Sequence, residues 1–186
     1  MTSEELLALC ARASSEVGGS LEPVDERGVT SLEVAADRLV EVVTWFRDNG
    51  PFELLADLSV IDWLGINPDE KRFCVGYMLA SPQHPARLQL RVYLGSQQPK
   101  VASLTGLWPG ADALEREAYD FFGIGFEGHP NLRRMFMPDD WEGHPQRKDY
   151  PLGGIDVRYE HGQAVTPPDD RAKRSTTTSG YPGRTA

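Results

Sequence analysis

The sequence predicts an α+β domain with a mostly antiparallel sheet of about four strands, covered by helices on one face. A long irregular C-terminal loop and tail follow this domain. Three consecutive segments between residues 52 and 94 alternate apolar and polar residues, the period of two that a strand requires. A stripe with helical spacing precedes them, and a segment rich in glycine and proline follows residue 122.

Each of the three alternating segments places its apolar residues on one face. The apolar rows are Phe52, Leu54, Ala56, Leu58 and Val60; then Phe73, Val75, Tyr77 and Leu79; then Leu88, Leu90, Val92 and Leu94. The linkers between the segments are short, which favours an antiparallel meander. Since one face is apolar and the other polar, helices are expected on the apolar face only. Further strands are predicted over 27–34 and 101–104.

Three helices are predicted beside the sheet, over 4–17, about 39–48 and about 111–122. Gly18-Gly19 ends the first, and Asn49-Gly50-Pro51 ends the second. The buried stripe of the second helix is Leu39, Val42, Val43 and Phe46. The buried face of the third helix is predicted to be Ala111, Leu114, Ala118 and Phe121.

The predicted organisation is one domain over residues 1–162. It consists of an N-terminal helix and linker to residue 26, an α+β core over 27–122, and an extended loop over 123–162, called the C-terminal loop below. Residues 163–186 include the polar run Ser175–Gly180 and are expected to form a disordered tail.

The composition restricts the class of protein. With 186 residues, 40% of them hydrophobic and 25% charged, the chain fits a soluble globular domain. A net charge of −9 argues against a nucleic-acid partner, which requires a positive surface facing the phosphates. No apolar run approaches the roughly 18 residues of a membrane span, so direct membrane insertion is not expected. Cys10 and Cys74 stand alone, whereas iron–sulfur clusters and structural zinc usually need four ligands.

The C-terminal loop carries the tripeptide Gly-His-Pro twice, at 128–130 and 143–145. A basic pair follows each copy, Arg133-Arg134 and Arg147-Lys148. Arginine binds carboxylates through two parallel hydrogen bonds, and a long loop without a strand ladder needs such pairs to hold one conformation. The carboxylates can lie on a partner or on this chain, whose third helix carries Glu115, Glu117 and Asp120.

The third helix and the loop combine charge with large apolar groups. Arg116 lies four residues from both Asp112 and Asp120, a spacing that lets it pair with either acid. The large apolar residues are Trp108, Phe121, Phe122, Phe126, Met135, Phe136, Met137 and Trp141. Aromatic and Met side chains are enriched at interface cores, but the same groups can fill the core of their own domain. The sequence leaves both arrangements open.

Two histidines suggest an alternative, a small metal-dependent enzyme. His129 and His144 have Asp139, Asp140, Glu142 and Asp149 near them in the sequence. Each histidine precedes a proline, which disfavours the helical i, i+4 arrangement of paired ligands. The rings are more consistent with capping loop carbonyls or pairing with a carboxylate. The chain also lacks a G-x-S-x-G nucleophile elbow and a complete dinucleotide-binding fingerprint.

One stretch, residues 108–151, carries a family resemblance. It contains Glu115-Arg116-Glu117, Asp120, Gly128-His129-Pro130, Leu132-Arg133-Arg134, Met137-Pro138-Asp139-Asp140-Trp141-Glu142-Gly143-His144-Pro145 and Arg147-Lys148-Asp149-Tyr150-Pro151. This stretch resembles the signature of the 30-kDa subunit (the C subunit) of respiratory NADH:quinone oxidoreductase, complex I. It departs at Asn131, at Met135-Phe136 and at Gln146, where the family usually has aspartate, two aliphatic residues and leucine.

The resemblance implies a cofactor-free structural subunit in the peripheral arm of a proton-translocating complex of the respiratory chain. A subunit of this kind docks to the quinone-site (D) subunit and lies near the cluster-bearing (B) subunit. Iron–sulfur clusters, FMN and quinone are then bound by partner subunits, and no catalytic residue is expected in this chain. The complex would hold the chain peripherally at the cytoplasmic face of a bacterial cell membrane.

On this resemblance the partner interface is expected to include Glu115, Arg116, Glu117, Asp120, His129, Arg133, Arg134, Trp141, His144, Arg147 and Lys148. Related modules of membrane-bound hydrogenases and of F420H2 dehydrogenases look similar in the same stretch, so those assemblies are alternatives. Ubiquinone and menaquinone are both open as the electron acceptor.

Overall fold

A five-stranded mixed sheet forms the centre of the fold. A computed structural model describes residues 2–18, 21–26 and 28–151. The strands are β1 (Pro23–Glu26), β2 (Val29–Glu33), β3 (Leu54–Asp62), β4 (Phe73–Ala80) and β5 (Arg87–Leu94), in the order β1-β2-β5-β4-β3. The α+β class and the antiparallel meander of β3, β4 and β5 are confirmed. The end of the C-terminal loop, 152–162, and the tail, 163–186, lie outside the described residues.

The sheet is not purely antiparallel, because β2 pairs with β5 in parallel. A parallel neighbour needs a long connection, and here a helix and two strands separate β2 from β5 along the chain. The expected strand over 27–34 is in fact the second half of a hairpin, in which β1 and β2 are antiparallel. Gly28 makes the turn at φ +81°, and its N–H donates to Asp25 Oδ1 over 2.9 Å. β1 has no alternating apolar row, so periodicity provided no signal for it.

A β-bulge corrects the predicted apolar row of β3. The pairing with β4 shifts between Leu55 and Asp57, which inserts one residue into the strand. The extra residue reverses the alternation on one side of the bulge, so Leu55 is 7% exposed while Leu54 is 47% exposed. The rows of β4 and β5 are buried as predicted.

Three helices pack with the sheet: α1 (Ser3–Val17), α2 (Leu39–Asn49) and α3 (Ala111–Phe122). Short 3₁₀ turns occupy Ala36–Arg38 and Asp69–Lys71. Buried side chains of all three helices join the apolar rows of the strands in one core. Thr2 and Glu5 begin α1 with a reciprocal capping box. Among the residues that the structure describes, no helix combines the length and the apolar character needed to cross a bilayer.

A small second sheet positions α3. Strand β6 (Lys100–Ala102) pairs in parallel with β7 (Gly125–Glu127), and α3 is the connection between them. The predicted strand over 101–104 corresponds to β6. Strand β7 is an addition, because regular structure was expected to end near Gly123. The helix that carries the signature residues is therefore tied to paired strands at both of its ends and packs against β3.

The bulge provides a stability test on two adjacent leucines. Leu55→Ala is expected to lower the free energy of unfolding by about 2–5 kcal/mol, because it leaves a cavity in the core. Leu54→Ala is expected to cost less than about 1 kcal/mol, because that side chain is half exposed. Urea unfolding of both variants measures the difference. Equal costs, or a larger cost at Leu54, would show that β3 keeps the unbroken alternation of its sequence.

Candidate functional site

Two carboxylates of α3, Glu115 and Asp120, are fully buried, with 0% exposure each. The predicted buried face of α3 holds Ala111 and Ala118 as expected, whereas Leu114 and Phe121 are only half-buried. The carboxylates complete that face, because the chain after β7 folds back over Asp120 and Glu115 bonds to the chain after β6. Burying a carboxylate is unfavourable unless it is paired and hydrogen-bonded, so the partners of these two groups define the site.

Asp120 holds the middle of the C-terminal loop. Its Oδ2 accepts three consecutive backbone N–H groups, from Met135 at 3.0 Å, Phe136 at 2.7 Å and Met137 at 2.9 Å. Its Oδ1 accepts from Arg134 Nη1 at 2.8 Å. The same guanidinium donates to the carbonyl oxygens of Trp141 at 2.9 Å and Gly143 at 2.8 Å. One buried ion pair thus fixes the backbone of the loop at several points.

These contacts determine how Asp120 titrates. Burial alone would raise its pKa, but the N–H of Met137, the guanidinium of Arg134 and the other two amides outweigh it. Together they lower the pKa from 3.8 to about 2. The loop is therefore held by an ionised carboxylate at neutral pH.

Glu115 ties α3 to the chain after β6. Its Oε1 accepts the N–H of Leu104 and its Oε2 accepts the hydroxyl of Ser103, both over 2.6 Å. Burial raises the pKa of Glu115, and the two hydrogen bonds oppose that rise. His129 approaches from the loop, with Nε2 3.9 Å from Oε2. Glu115 therefore serves an internal connection in this chain.

Both histidine rings bond to backbone, one of the two arrangements expected for them, and His129 Nε2 also lies 3.5 Å from Asp112 Oδ1. His129 Nδ1 accepts the N–H of Asn131 at 3.0 Å, so in the neutral ring Nε2 carries the proton and faces the carbonyl of Asp112 at 3.3 Å. His144 Nδ1 lies 3.0 Å from the carbonyl of Asp120. Burial lowers the pKa of His144, and the neighbouring Arg147 and Arg134 lower it further. Within the described residues no three His, Cys, Asp or Glu side chains converge as a metal site would require.

A second buried pair, which the sequence did not indicate as part of the site, holds the end of the loop. Arg72 donates to both oxygens of Asp62, from Nε at 3.0 Å and from Nη2 at 2.9 Å. Asp62 Oδ2 also accepts the N–H of Lys148 at 2.9 Å, and Arg72 pairs with Asp149 at 2.9 Å. The pair lies at the end of β3 and the start of β4, far from the loop in sequence. The sequence feature that could have revealed this pair is the position of two charged residues, Asp62 and Arg72, at the ends of apolar strand segments.

Arg147 and Gly123 join the loop to the C-terminus of α3. Arg147 Nε donates to the carbonyl of Phe122 at 2.6 Å, and its guanidinium lies 5.2 Å from the centroid of the Phe73 ring. Gly123 ends the helix at φ +69°, and a Cβ there would come 2.4 Å from His144 Nε2. Glycine is therefore required both by the left-handed conformation and by the close approach of the loop.

Apart from Trp141, the predicted interface residues divide into two groups. The members that make polar contacts inside this chain are Glu115, Arg116, Asp120, His129, Arg134, His144 and Arg147. Arg116 pairs with Asp112 at 3.7 Å, whereas Asp120 pairs with Arg134. Trp141 is half-buried. The side chains of Glu117, Arg133 and Lys148 are exposed and bond to no other described residue. A role for the set at a partner interface stays a prediction.

The similarity to known proteins covers the core of the fold as well as the site. The family described as respiratory-chain NADH dehydrogenase, 30 Kd subunit, matches residues 32–156. The chain belongs to this family. The C subunit of NADH-quinone oxidoreductase from Salinispora arenicola (strain CNS-205) is 43% identical over 171 residues, which cover 90% of this chain and 69% of that protein.

Two solved structures share the fold. The trypsin-resistant fragment (1-134) of Nqo5 matches with a TM-score of 0.60 and 32% identity, over 68% of this chain and 98% of the fragment. A chain of the membrane-bound sulfane sulfur reductase, an archaeal respiratory membrane complex, matches with a TM-score of 0.67. That match covers 80% of this chain and 85% of the other, but at 21% identity it shows the fold alone.

The four hydrogen bonds that the Asp120 carboxylate accepts from the loop predict that its removal strongly destabilises the protein. Asp120→Ala is expected to lower the free energy of unfolding by about 3–5 kcal/mol, because it strands Arg134 and three amides. Asp112→Ala is the matched control, an aspartate of the same helix whose own carboxylate is 42% exposed, and is expected to cost less than about 1 kcal/mol. Urea unfolding and hydrogen exchange of the Met135–Met137 amides measure both. If Asp120→Ala lowers the free energy of unfolding no more than Asp112→Ala does, Asp120 does not hold the loop.

The lowered pKa of Asp120 predicts acid sensitivity. Its folded pKa, about 2, lies below the unfolded value of 3.8, so the stabilisation is fully present above 3.8 and lost as the pH falls towards 2. Asparagine at this position lacks the charge and the titration. The difference in free energy of unfolding between the wild type and Asp120→Asn should therefore shrink between about pH 4 and pH 2. A difference that stays constant over this range would contradict the assignment.

Proposed function

We propose that this chain is a cofactor-free structural subunit of the peripheral arm of a proton-translocating NADH:quinone oxidoreductase. Its C-terminal loop docks to the quinone-site (D) subunit, near the cluster-bearing (B) subunit. The chain itself supplies no catalytic residue, and the iron–sulfur clusters, FMN and quinone belong to its partners. The assembled complex holds it peripherally at the cytoplasmic face of the bacterial cell membrane.

The observation that carries this proposal is the way the loop is held. Asp120 and Arg134 bind backbone groups of residues 135–143, so a segment with no strand ladder of its own has a defined surface. The buried carboxylates Glu115 and Asp120 bond to backbone amides and to side chains of this chain, which favours recognition over chemistry. Family membership indicates the kind of assembly that such a surface serves.

Copurification tests the assembly. A tagged copy of the full chain, expressed in its own bacterium, is purified from mild detergent and its partners are identified by mass spectrometry. NADH-oxidising and quinone-site subunits are expected. Hydrogenase or F420H2 dehydrogenase subunits in their place would assign the chain to a related assembly, and recovery of the chain alone would contradict the proposal.

Metal analysis separates a structural subunit from a small metal-dependent enzyme. No stoichiometric transition metal is expected on the purified chain, since both histidine rings face backbone groups. A stoichiometric metal that is lost in the His129→Ala, His144→Ala double variant would contradict the structural role.

If the exposed bases of the loop, Arg133 and Lys148, contact a partner, reversing their charge should impair assembly of the complex. Arg133→Glu and Lys148→Glu are each expected to lower the amount of assembled complex and its quinone reductase activity in the same proportion. Both side chains face outward, so the isolated protein should unfold at the same urea concentration as the wild type. Arg147 does not suit this test, because its guanidinium holds the carbonyl of Phe122. Arg87→Glu, an exposed base on β5, is the control.

Assembly and turnover separate the outcomes of that test. Normal assembly with selectively lost turnover would instead indicate a catalytic contribution from the loop. Unchanged assembly and activity in both variants would show that these bases are only solvated. An equal defect in Arg87→Glu would show a general effect of lost positive charge.

A further inference from the structure

The C-terminal loop exposes an aromatic ring at a defined position. Phe136 is 57% exposed, and it is the one aromatic residue among the exposed large hydrophobic groups of the described chain. It stacks on Phe121 of α3, with ring centroids 5.2 Å apart and planes inclined by 12°. Met135 beside it is also exposed, and these two residues are called the apolar tip below. Packing within this chain leaves more than half of the Phe136 side chain and over a third of Met135 in water, and an exposed apolar group of this size suits a binding surface.

The backbone of the apolar tip is bound by a buried carboxylate of α3. The backbone N–H groups of Met135 and Phe136 donate to the buried Oδ2 of Asp120, at 3.0 and 2.7 Å. The position of the tip is therefore set before a partner arrives. A preordered aromatic side chain loses little conformational freedom on binding, and such residues dominate the affinity of interfaces when they enter a pocket.

The charges that follow the tip are mostly negative. Asp139, Asp140 and Glu142 are exposed, and none of their side chains bonds to another residue in the described part of the chain. Arg133 is the exposed base that precedes the tip. Across an interface, potentials of opposite sign face each other, so the partner is expected to be basic around the position of the ring.

We infer that Phe136 is the anchor through which this chain binds a partner protein of the complex, entering an apolar pocket edged by lysine or arginine side chains. The inference rests on the proposed function, because the partner belongs to the same complex. The ring supplies affinity, while the acids orient the encounter. A second copy of this chain suits the tip less well, because a net charge of −9 makes two copies repel.

The test uses the tagged full chain and quantifies the partner subunits recovered with it. Phe136→Asp is expected to reduce that recovery about tenfold or more, as for a central anchor. Ile66→Asp is the matched control, since Ile66 is 66% exposed and lies between β3 and β4, and its recovery should stay within about twofold of the wild type. Hydrogen exchange of the Met135–Met137 amides in the isolated Phe136→Asp variant checks that the backbone of the tip keeps its hydrogen bonds to Asp120. If aspartate releases those amides, Phe136→Ser, which adds no charge, is the deciding variant.

The results distinguish failure of this inference from failure of the proposed function. If wild-type chain recovers no partner subunits, the proposed function is wrong. If the wild type recovers them and both Phe136 variants recover them equally well, the proposed function stands and the anchor is wrong. Asp139→Lys combined with Asp140→Lys should also lower recovery, and unchanged recovery would overturn the basic edge. A wild-type homodimer that Phe136→Asp abolishes would assign the tip to a second copy and overturn the inference.

Discussion

The buried carboxylate of Asp120 is the group on which the arrangement of the C-terminal loop depends. It accepts three consecutive amides and one guanidinium, so its desolvation is offset by four hydrogen bonds. A hydrophobic residue at this position could fill the same volume but could not hold the backbone of residues 135–137. The loop has no strand pairing of its own there, so its amides need an acceptor within the chain or in water.

The second buried pair, Asp62 with Arg72, extends the same principle to the sheet. Asp62 accepts the amide of Lys148, and Arg72 pairs with Asp149, so the end of the loop is fixed to β3 and β4. Between the loop residues held by these two ion pairs, His144 and Arg147 bond to backbone carbonyls in the last turn of α3. Buried ion pairs contribute little net stability compared with apolar packing, but they admit few geometries. They therefore suit a segment whose shape matters more than its stability.

The sequence predicted most of what depends on local periodicity and less of what depends on long-range contact. The helices and the rows of β4 and β5 followed from spacing, and the prolines after His129 and His144 argued correctly against a helical pair of ligands. The bulge at Leu55–Asp57 could not be predicted, because it is defined by the register with β4. The burial of Glu115 and Asp120 was missed for a related reason. A carboxylate on a helix is normally solvated. Here the loop that returns after β7 covers Asp120, and Glu115 bonds to Ser103 and Leu104 in the chain after β6.

The buried carboxylate of Asp120 also bears on the proposed docking of the loop. A docking segment that orders only on binding loses conformational entropy at that moment, which weakens the complex. Here the backbone N–H of Phe136 is bound by Asp120 of the same chain. The Phe136 ring stacks on Phe121, which lies on the same helix as Asp120. Rigidity of the exposed surface thus derives from burial of charge directly below it. In the proposed function, the signature residues with internal contacts fix the shape of the loop, and those with exposed side chains contact the partner.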